Sequence, residues 1–410
     1  MPSIARGDAI ALTRALVAVD SRNPSLAPGA PGERAVAELL GATLTDWGFK
    51  VDLIESRPGR PNVLARIGGG HGGRSLMLNG HLDTVDVVGM THAPFTPEER
   101  DGRLYARGAT DMKAGIAAMC AAAVRASDAA SASNTASNTA SNTASGTGLG
   151  GEVIIAAVVD EEFESLGTRT LLEAGVTAHA AIVTEPTRLA IAPAHRGFAW
   201  ATVTVHGRAA HGSRYDIGVD AITHAALLLA ELDAYYRSVL TQRTHALLGH
   251  ASLHAGTITG GTGISTYPDR CTFSVERRTV PGERGSDFAA EIDAVIAGVR
   301  TRVPDLHARV VVDLVQEPND VPLDHAIVTS LLAACSAEGA PARVEGLSCW
   351  TDAALLSAAG IPAICYGPGD IALAHAAEEY VETYEITRAT AVLTRLVTDW
   401  CGPKGVAWGS

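Results

Sequence analysis

Four short apolar runs along the chain end in the same way. Leu76–Leu78 leads to Gly80, His81 and Asp83, and Val153–Val159 leads to Asp160, Glu161 and Glu162. Ala180–Val183 leads to Thr184, Glu185 and Pro186, and Ile361–Tyr366 leads to Gly367, Pro368 and Gly369. Continuous apolar runs of this length suit strands buried on both faces, as in an α/β sheet covered by helices. Helical spacing occupies Gly32–Trp47, Lys113–Ser127, Leu166–Ala174, Ala326–Ala337 and Asp352–Ala359. Open α/β sheets place their sites beyond the carboxyl ends of their strands. One polar strand end is unremarkable, but the same ending on several strands predicts a site.

The middle of the chain has a different rhythm. Phe198–Val205 alternates at strand period, Val219–Arg237 is helical, and Ala251–Thr259 and Arg270–Val280 read as strands. A helix over Asp287–Arg302 and a strand over Arg309–Gln316 complete the order β-α-β-β-α-β, the split βαβ arrangement of a ferredoxin-like α+β domain. The pattern therefore predicts a larger α/β domain in two parts, residues 1–194 and 318–410, with residues 195–317 inserted between them. From Ala132 to Ala144 the chain repeats Ala-Ser-Asn-Thr, and glycine follows. Such a composition cannot bury enough surface to offset its ordering entropy. It predicts a mobile surface loop over about residues 130–150.

Composition narrows the picture. A length of 410 residues suits two domains, and 47% apolar residues with only 5% aromatics imply cores of Ala, Val, Leu and Ile. A formal net charge of -13 argues against nucleic acid and anionic membranes as partners. The six cysteines form no CxxC pair and lie mostly in apolar runs, which suits reduced thiols in the cytoplasm. The N-terminal stretch has helical spacing without a signal-peptide core, and no apolar run is long enough to span a membrane.

Candidate chemistry follows from the strand ends. His81 and Asp83 are two residues apart, so in an extended chain both face one side, where the aspartate can hold the imidazole by its second nitrogen. A polar strand end at the surface is the competing reading. Asp111 precedes the Lys113 helix, where an ordinary N-cap and a metal ligand are both compatible. With Glu162, Glu185 and the later His375, these residues make two histidines and three carboxylates, which suits a pair of borderline divalent ions, zinc first.

Five motifs then make the chain resemble a known family over nearly its whole length. They are Gly80-His81-Leu82-Asp83-Thr84-Val85, Arg107-Gly108-Ala109-Thr110-Asp111-Met112-Lys113-Ala114-Gly115, Asp160-Glu161-Glu162, Thr184-Glu185-Pro186 and His375-Ala376-Ala377-Glu378-Glu379. The family is that of the dinuclear-zinc peptidases and deacylases, which includes acetylornithine deacetylase, succinyl-diaminopimelate desuccinylase and glutamate carboxypeptidase. The resemblance implies a zinc-peptidase-like α/β/α catalytic domain with an inserted ferredoxin-like dimerisation or lid domain. It implies two Zn2+ ions, with Co2+ or Mn2+ able to substitute. Asp111 would bridge them, with His81 and Glu185 at one ion, Glu162 and His375 at the other, and Asp83 orienting His81. Glu161 would be the general base for a hydroxide between the ions and would pass the proton to the leaving amine.

The inserted domain carries further implied residues. His211, in Gly207-Arg208-Ala209-Ala210-His211-Gly212-Ser213, matches a histidine that reaches the partner subunit's site in relatives; a plain loop histidine is the alternative. Arg278 resembles an arginine that clamps the substrate carboxylate, though a salt bridge is the alternative and Arg277 stands beside it. Gly367-Pro368-Gly369 either offers N–H groups to that carboxylate or forms a plain turn. Gly212 and Glu276 depart from the family, where Ser and Asp often stand. The expected function is a homodimeric, cytoplasmic deacylase of N-acyl amino acids, leaning towards acetylornithine deacetylase. Alternatives are a carboxypeptidase or dipeptidase, a succinyl-diaminopimelate desuccinylase, or an inactive amino-acid-binding paralogue.

Overall fold

A computed structural model describes residues 4–69, 72–137 and 148–402. The chain divides into two compact units. The first comprises Met1–Pro193, Val321–Glu345 and Thr351–Ser410; the second comprises Ala194–Asp320 and Gly346–Trp350. The short Gly346–Trp350 segment thus belongs to the second unit, where the sequence pattern assigns it to the C-terminal part of the first. No apolar periodicity marks so short an excursion.

The first unit is built on a mixed sheet. Its strands run in the order Lys50–Arg57, Arg60–Gly68, Glu152–Val158, Leu76–His81, Ala180–Val183, Ala363–Cys365, Ile191–His195. Leu76–His81 pairs in parallel with Glu152–Val158 on one side and Ala180–Val183 on the other, and Ala363–Cys365 continues the parallel set. These four parallel strands are the four apolar runs of the sequence. Every residue of Leu76–His81 is buried, so both faces of the sheet are covered. The Lys50–Arg57 and Arg60–Gly68 strands form an antiparallel hairpin, which no apolar run announces because its outer strand is largely exposed.

Helices supply the cover. Thr383–Trp400 buries a stripe of Ile386, Ala389, Val392, Leu393, Leu396, Val397 and Trp400. That helix packs on Ala114–Ser137, whose buried run of alanines permits a close approach. The Ala114 helix extends ten residues past Ser127, into the first Ala-Ser-Asn-Thr repeats, so that part of the expected loop is helical. Four of those ten residues are alanine, the strongest helix former. The rest of the expected loop, residues 138–147, lies outside the described residues.

The second unit has a four-stranded antiparallel sheet in the order Ser252–Gly260, Arg270–Thr279, Gly197–His206, His307–Gln316. Helices Ala221–Ser238 and Phe288–Arg300 complete the β-α-β-β-α-β order. Ala199, Ala201, Val203 and Val205 alternate inward with Cys271, Phe273 and Val275 and meet Leu228, Leu232, Ile292 and Ile296 of the helices. Asp220 caps the first helix, accepting from the Ile222 and Thr223 N–H groups at 2.9 and 3.0 Å. Among the described residues, no helix is long and apolar enough to cross a membrane.

Candidate metal centre

Three of the parallel strands deliver the site. His81 is the last residue of its strand, and Glu185 follows Ala180–Val183 by two residues. Glu161 and Glu162 are adjacent, and on a straight strand their side chains would point opposite ways. Asp160 prevents this by adopting a left-handed conformation at φ +68°. Its carbonyl accepts from the Glu164 and Ser165 N–H groups at 3.2 and 2.6 Å, closing a turn that brings both glutamates to the same cluster.

Asp111 stands at the centre. Its Oδ1 lies 3.1 Å from His81 Nε2, and its Oδ2 lies 3.4 Å from His375 Nε2. His375 Nε2 is also 3.0 Å from Glu162 Oε2. Glu161 and Glu185 each bring an oxygen to His81 Nε2, at 3.9 and 4.0 Å. Ligand atoms of His81, Asp111 and Glu162 converge within 4.8 Å of one another, and so do those of His81, Glu161 and Glu185. Asp111 is not a helix cap: its backbone is extended, and the helix starts at Ala114.

The electrostatics call for cations. Burial pushes Glu161 and Glu185 well above the usual carboxylate range, and neighbouring carboxylates push them further while His81 opposes. Burial likewise raises Glu162, with Asp111 adding to it. Burial also disfavours a charged Asp111, but hydrogen bonds from His375 and His81 outweigh this and lower its pKa. The hydrogen bonds of Asp111 and Glu162 hold His375 up at about 10. Four clustered, buried carboxylates repel one another, and divalent ions are the partners that let all of them ionise. The donor set of carboxylate oxygens and imidazole nitrogens fits zinc and its neighbours.

Asp83 acts differently from the spacing argument. Its backbone carbonyl, not its carboxylate, receives His81 Nδ1 at 2.9 Å; the carboxylate oxygen is 3.7 Å away. The chain leaves the strand at His81, so the strict two-residue alternation no longer applies at Asp83. The carboxylate instead accepts the Glu161 and Glu162 N–H groups at 3.1 and 3.2 Å and Asn23 Nδ2 at 2.9 Å. Asn23 also donates to Asp160, which Arg60 Nη1 meets at 2.8 Å while Arg60 Nε donates to buried Glu33. Asn23, Glu33 and Arg60 were invisible in the sequence, because nothing local links them to the glutamates. Asp352, at the head of its expected helix, is also buried near the cluster and accepts Thr168 Oγ1 at 2.6 Å.

Gly367 does not fit the carboxylate-binding role. Its N–H already donates to Thr187 Oγ1 at 3.1 Å, and the Gly369 N–H donates to Glu385 at 2.7 Å. A Cβ at Gly367 would stand 2.4 Å from the Thr184 carbonyl oxygen, so glycine here serves close packing. In the second unit, Arg277 is buried and held by Glu283 and Glu291. Arg278 is one-third exposed, pairs with Glu276 and lies 5.2 Å over the Phe198 ring. Its neighbour's structural employment leaves Arg278 as the accessible guanidinium of the two. His211 is exposed, with Nδ1 2.9 Å from Ser213 Oγ.

Comparison with known proteins bears on this centre. The profile of peptidase family M20/M25/M40 matches residues 77–399. An acetylornithine deacetylase of Myxococcus xanthus is 30% identical over 95% of this chain and 96% of its own length. Aminopeptidase PepT of Bacillus cereus has a similar structure, with a TM-score of 0.75 at 20% identity over 97% of this chain and 99% of the other. A dinuclear metal-binding peptidase of Bacillus subtilis has a TM-score of 0.67 at 16% identity, over 96% of this chain and 97% of the other.

Proposed function

We propose, from the premise that the chain belongs to peptidase family M20/M25/M40, that it is a two-metal deacylase of N-acyl amino acids. The observation carrying this reading is Asp111, whose two carboxylate oxygens face two different histidines amid three further carboxylates. Asp111 would be shared by both ions, with His81 and Glu185 completing one set and Glu162 and His375 the other. Bound there, divalent ions supply a Lewis acid and lower the pKa of water towards roughly 7. Zinc is the proposed native metal.

Glu161 is the proposed base. Its carboxylate is within the cluster, and its backbone N–H is fixed by Asp83. It takes a proton from the attacking water and returns it to the leaving amine nitrogen, so one carboxylate serves both steps. Arg278 is proposed to meet the substrate carboxylate through its fork of donors. Deacylation is preferred to peptide cleavage because a relative bearing the deacetylase name matches at 30% identity over nearly the whole chain.

Homodimerisation through the second unit belongs to the same proposal. The outer Ser252–Gly260 strand is largely exposed and carries Ile258 at its surface, which suits pairing with a second copy. A cytoplasmic setting accords with six free cysteines. The test is a hydrolysis screen of N-acetyl, N-succinyl and N-formyl amino acids and of dipeptides, with zinc or cobalt added. Preference for N-acetyl amino acids supports the reading; preference for dipeptides rejects it in favour of a dipeptidase. Mixing His211→Ala with Glu161→Gln chains tests the shared role of His211: recovered activity means that the two residues act from different subunits.

A further inference from the structure

Glu379 closes the motif that begins at His375, yet neither metal ligation nor proton transfer accounts for it. Its side chain is fully buried. Its Oε2 accepts Arg107 Nη1 at 2.6 Å and the Gly108 N–H at 3.1 Å. Its Oε1 accepts the Thr110 and Asp111 N–H groups at 3.0 and 3.2 Å. A carboxylate has about four lone-pair sites, and here every bond goes to the one turn that carries Asp111.

The backbone explains why these groups meet. Tyr380–Glu382 pairs antiparallel with Arg103–Tyr105, Tyr380 opposite Tyr105. The chain enters the Asp111 turn just after this ladder, and it leaves the His375 loop just before it. Glu379 therefore lies between the two segments. Arg107 ties the same corner from the other side, its Nη2 reaching the Ala376 carbonyl at 3.5 Å and its Nε the Asp86 carbonyl at 3.1 Å. The turn is tight: Gly108 has φ +79°, and a Cβ there would lie 2.7 Å from Thr84 Cγ2.

We propose that Glu379 is the positioning residue of the metal pair, its single carboxylate setting the Asp111 turn and the His375 loop in one geometry before any ion arrives. This rests on the metal reading above. His375 follows a short turn, Ile371–Leu373, and has φ +60°. Asp111 is extended on a loop. Neither ligand is held by a strand ladder, so the carboxylate between them supplies what a ladder supplies to His81.

Glu379→Gln tests this. The variant replaces one oxygen by an NH2 group, which faces two N–H donors and accepts from neither. Zinc affinity at both sites should fall by about 10–100-fold, the usual cost of losing a partner that orients ligands. Competition with a chromophoric chelator measures it. Saturating zinc should restore turnover, because Glu161 is untouched. Unchanged zinc affinity in a folded Glu379→Gln protein overturns the proposal, whatever its melting temperature, and so does failure of saturating zinc to restore the rate. Glu378→Gln is the control, since among the described residues exposed Glu378 reaches only towards Arg100 at 3.4 Å; it should bind zinc as the wild type does, and an equal loss there overturns the proposal. Should Glu379→Gln not fold, Arg107→Gln withdraws one of the four donors and should show the lower end of the range. A wild-type chain that binds no zinc sinks the metal reading and the proposal together. Two ions bound by the wild type, with unchanged affinity in the variant, sink the proposal alone.

Discussion

His81 and His375 face opposite oxygens of Asp111 from opposite kinds of ground. His81 ends a buried strand, its side chain only 1% exposed, and the Asp83 carbonyl fixes its far nitrogen. His375 sits on a loop with its side chain 53% exposed. One half of the centre is built into the sheet, and the other is delivered by a segment that must be placed. Burial is the largest influence on His81 and works against its charge, yet Asp111 overcomes it; at His375 the hydrogen bonds of Asp111 and Glu162 come first, outweigh burial and hold it up at about 10. The candidate centre therefore has a strand-held histidine at its floor and a loop-borne histidine on its accessible side.

Asp111 belongs to both halves, so its loss should break the comparison altogether. Asp111→Asn is expected to weaken both metal sites by more than the roughly 100-fold that an orienting partner costs, and to abolish activity. Elemental analysis after mild zinc loading checks it. One ion bound at wild-type affinity would show that the halves are independent and that Asp111 is not shared.

The next largest effect separates chemistry from metal binding. Glu161→Gln should keep the metal content of the wild type and lose about 10²–10⁴-fold in turnover. Steady-state kinetics beside a metal assay give both numbers. A near-normal rate would remove Glu161 from the role of base and leave Glu162 or solvent to fill it.

The smallest effect sharpens the difference between the histidines. An interaction that must first order a mobile side chain loses roughly 0.5–1.5 kcal/mol. His81 has already met that cost in the folded chain, and His375 has met less of it. His81→Ala should therefore weaken zinc binding more than His375→Ala, by up to about tenfold. Equal losses would mean that the loop holds His375 as firmly as the strand holds His81.

Much of this was legible because local rules governed it. Four apolar runs became the four parallel strands, since a strand buried on both faces must be apolar throughout. The polar endings of three of them meet at the candidate site, since carboxyl ends of parallel strands gather on one edge. The alternating middle segments became the antiparallel sheet of the second unit for the same kind of reason. The Lys50–Arg57 strand escaped notice because an exposed edge has no apolar requirement.

What the amino-acid sequence determined by itself was therefore the buried parallel strands, the alternating strands of the second unit and the candidate residues of the site. Tertiary structure alone decided how those side chains are aimed. A left-handed Asp160 turned Glu161 and Glu162 to one side, and the Asp83 carboxylate held their amides instead of the His81 ring. Gly367 proved to be a packing residue with its N–H already engaged, and Arg277 proved to be internal while Arg278 stayed accessible. Glu379 met Asp111 across 268 residues of chain. The physical reason is common to all of them. Burial and strand propensity act over a few neighbours, whereas the direction of a side chain and the use of its hydrogen bonds depend on groups that only the folded chain brings within 3 Å or so.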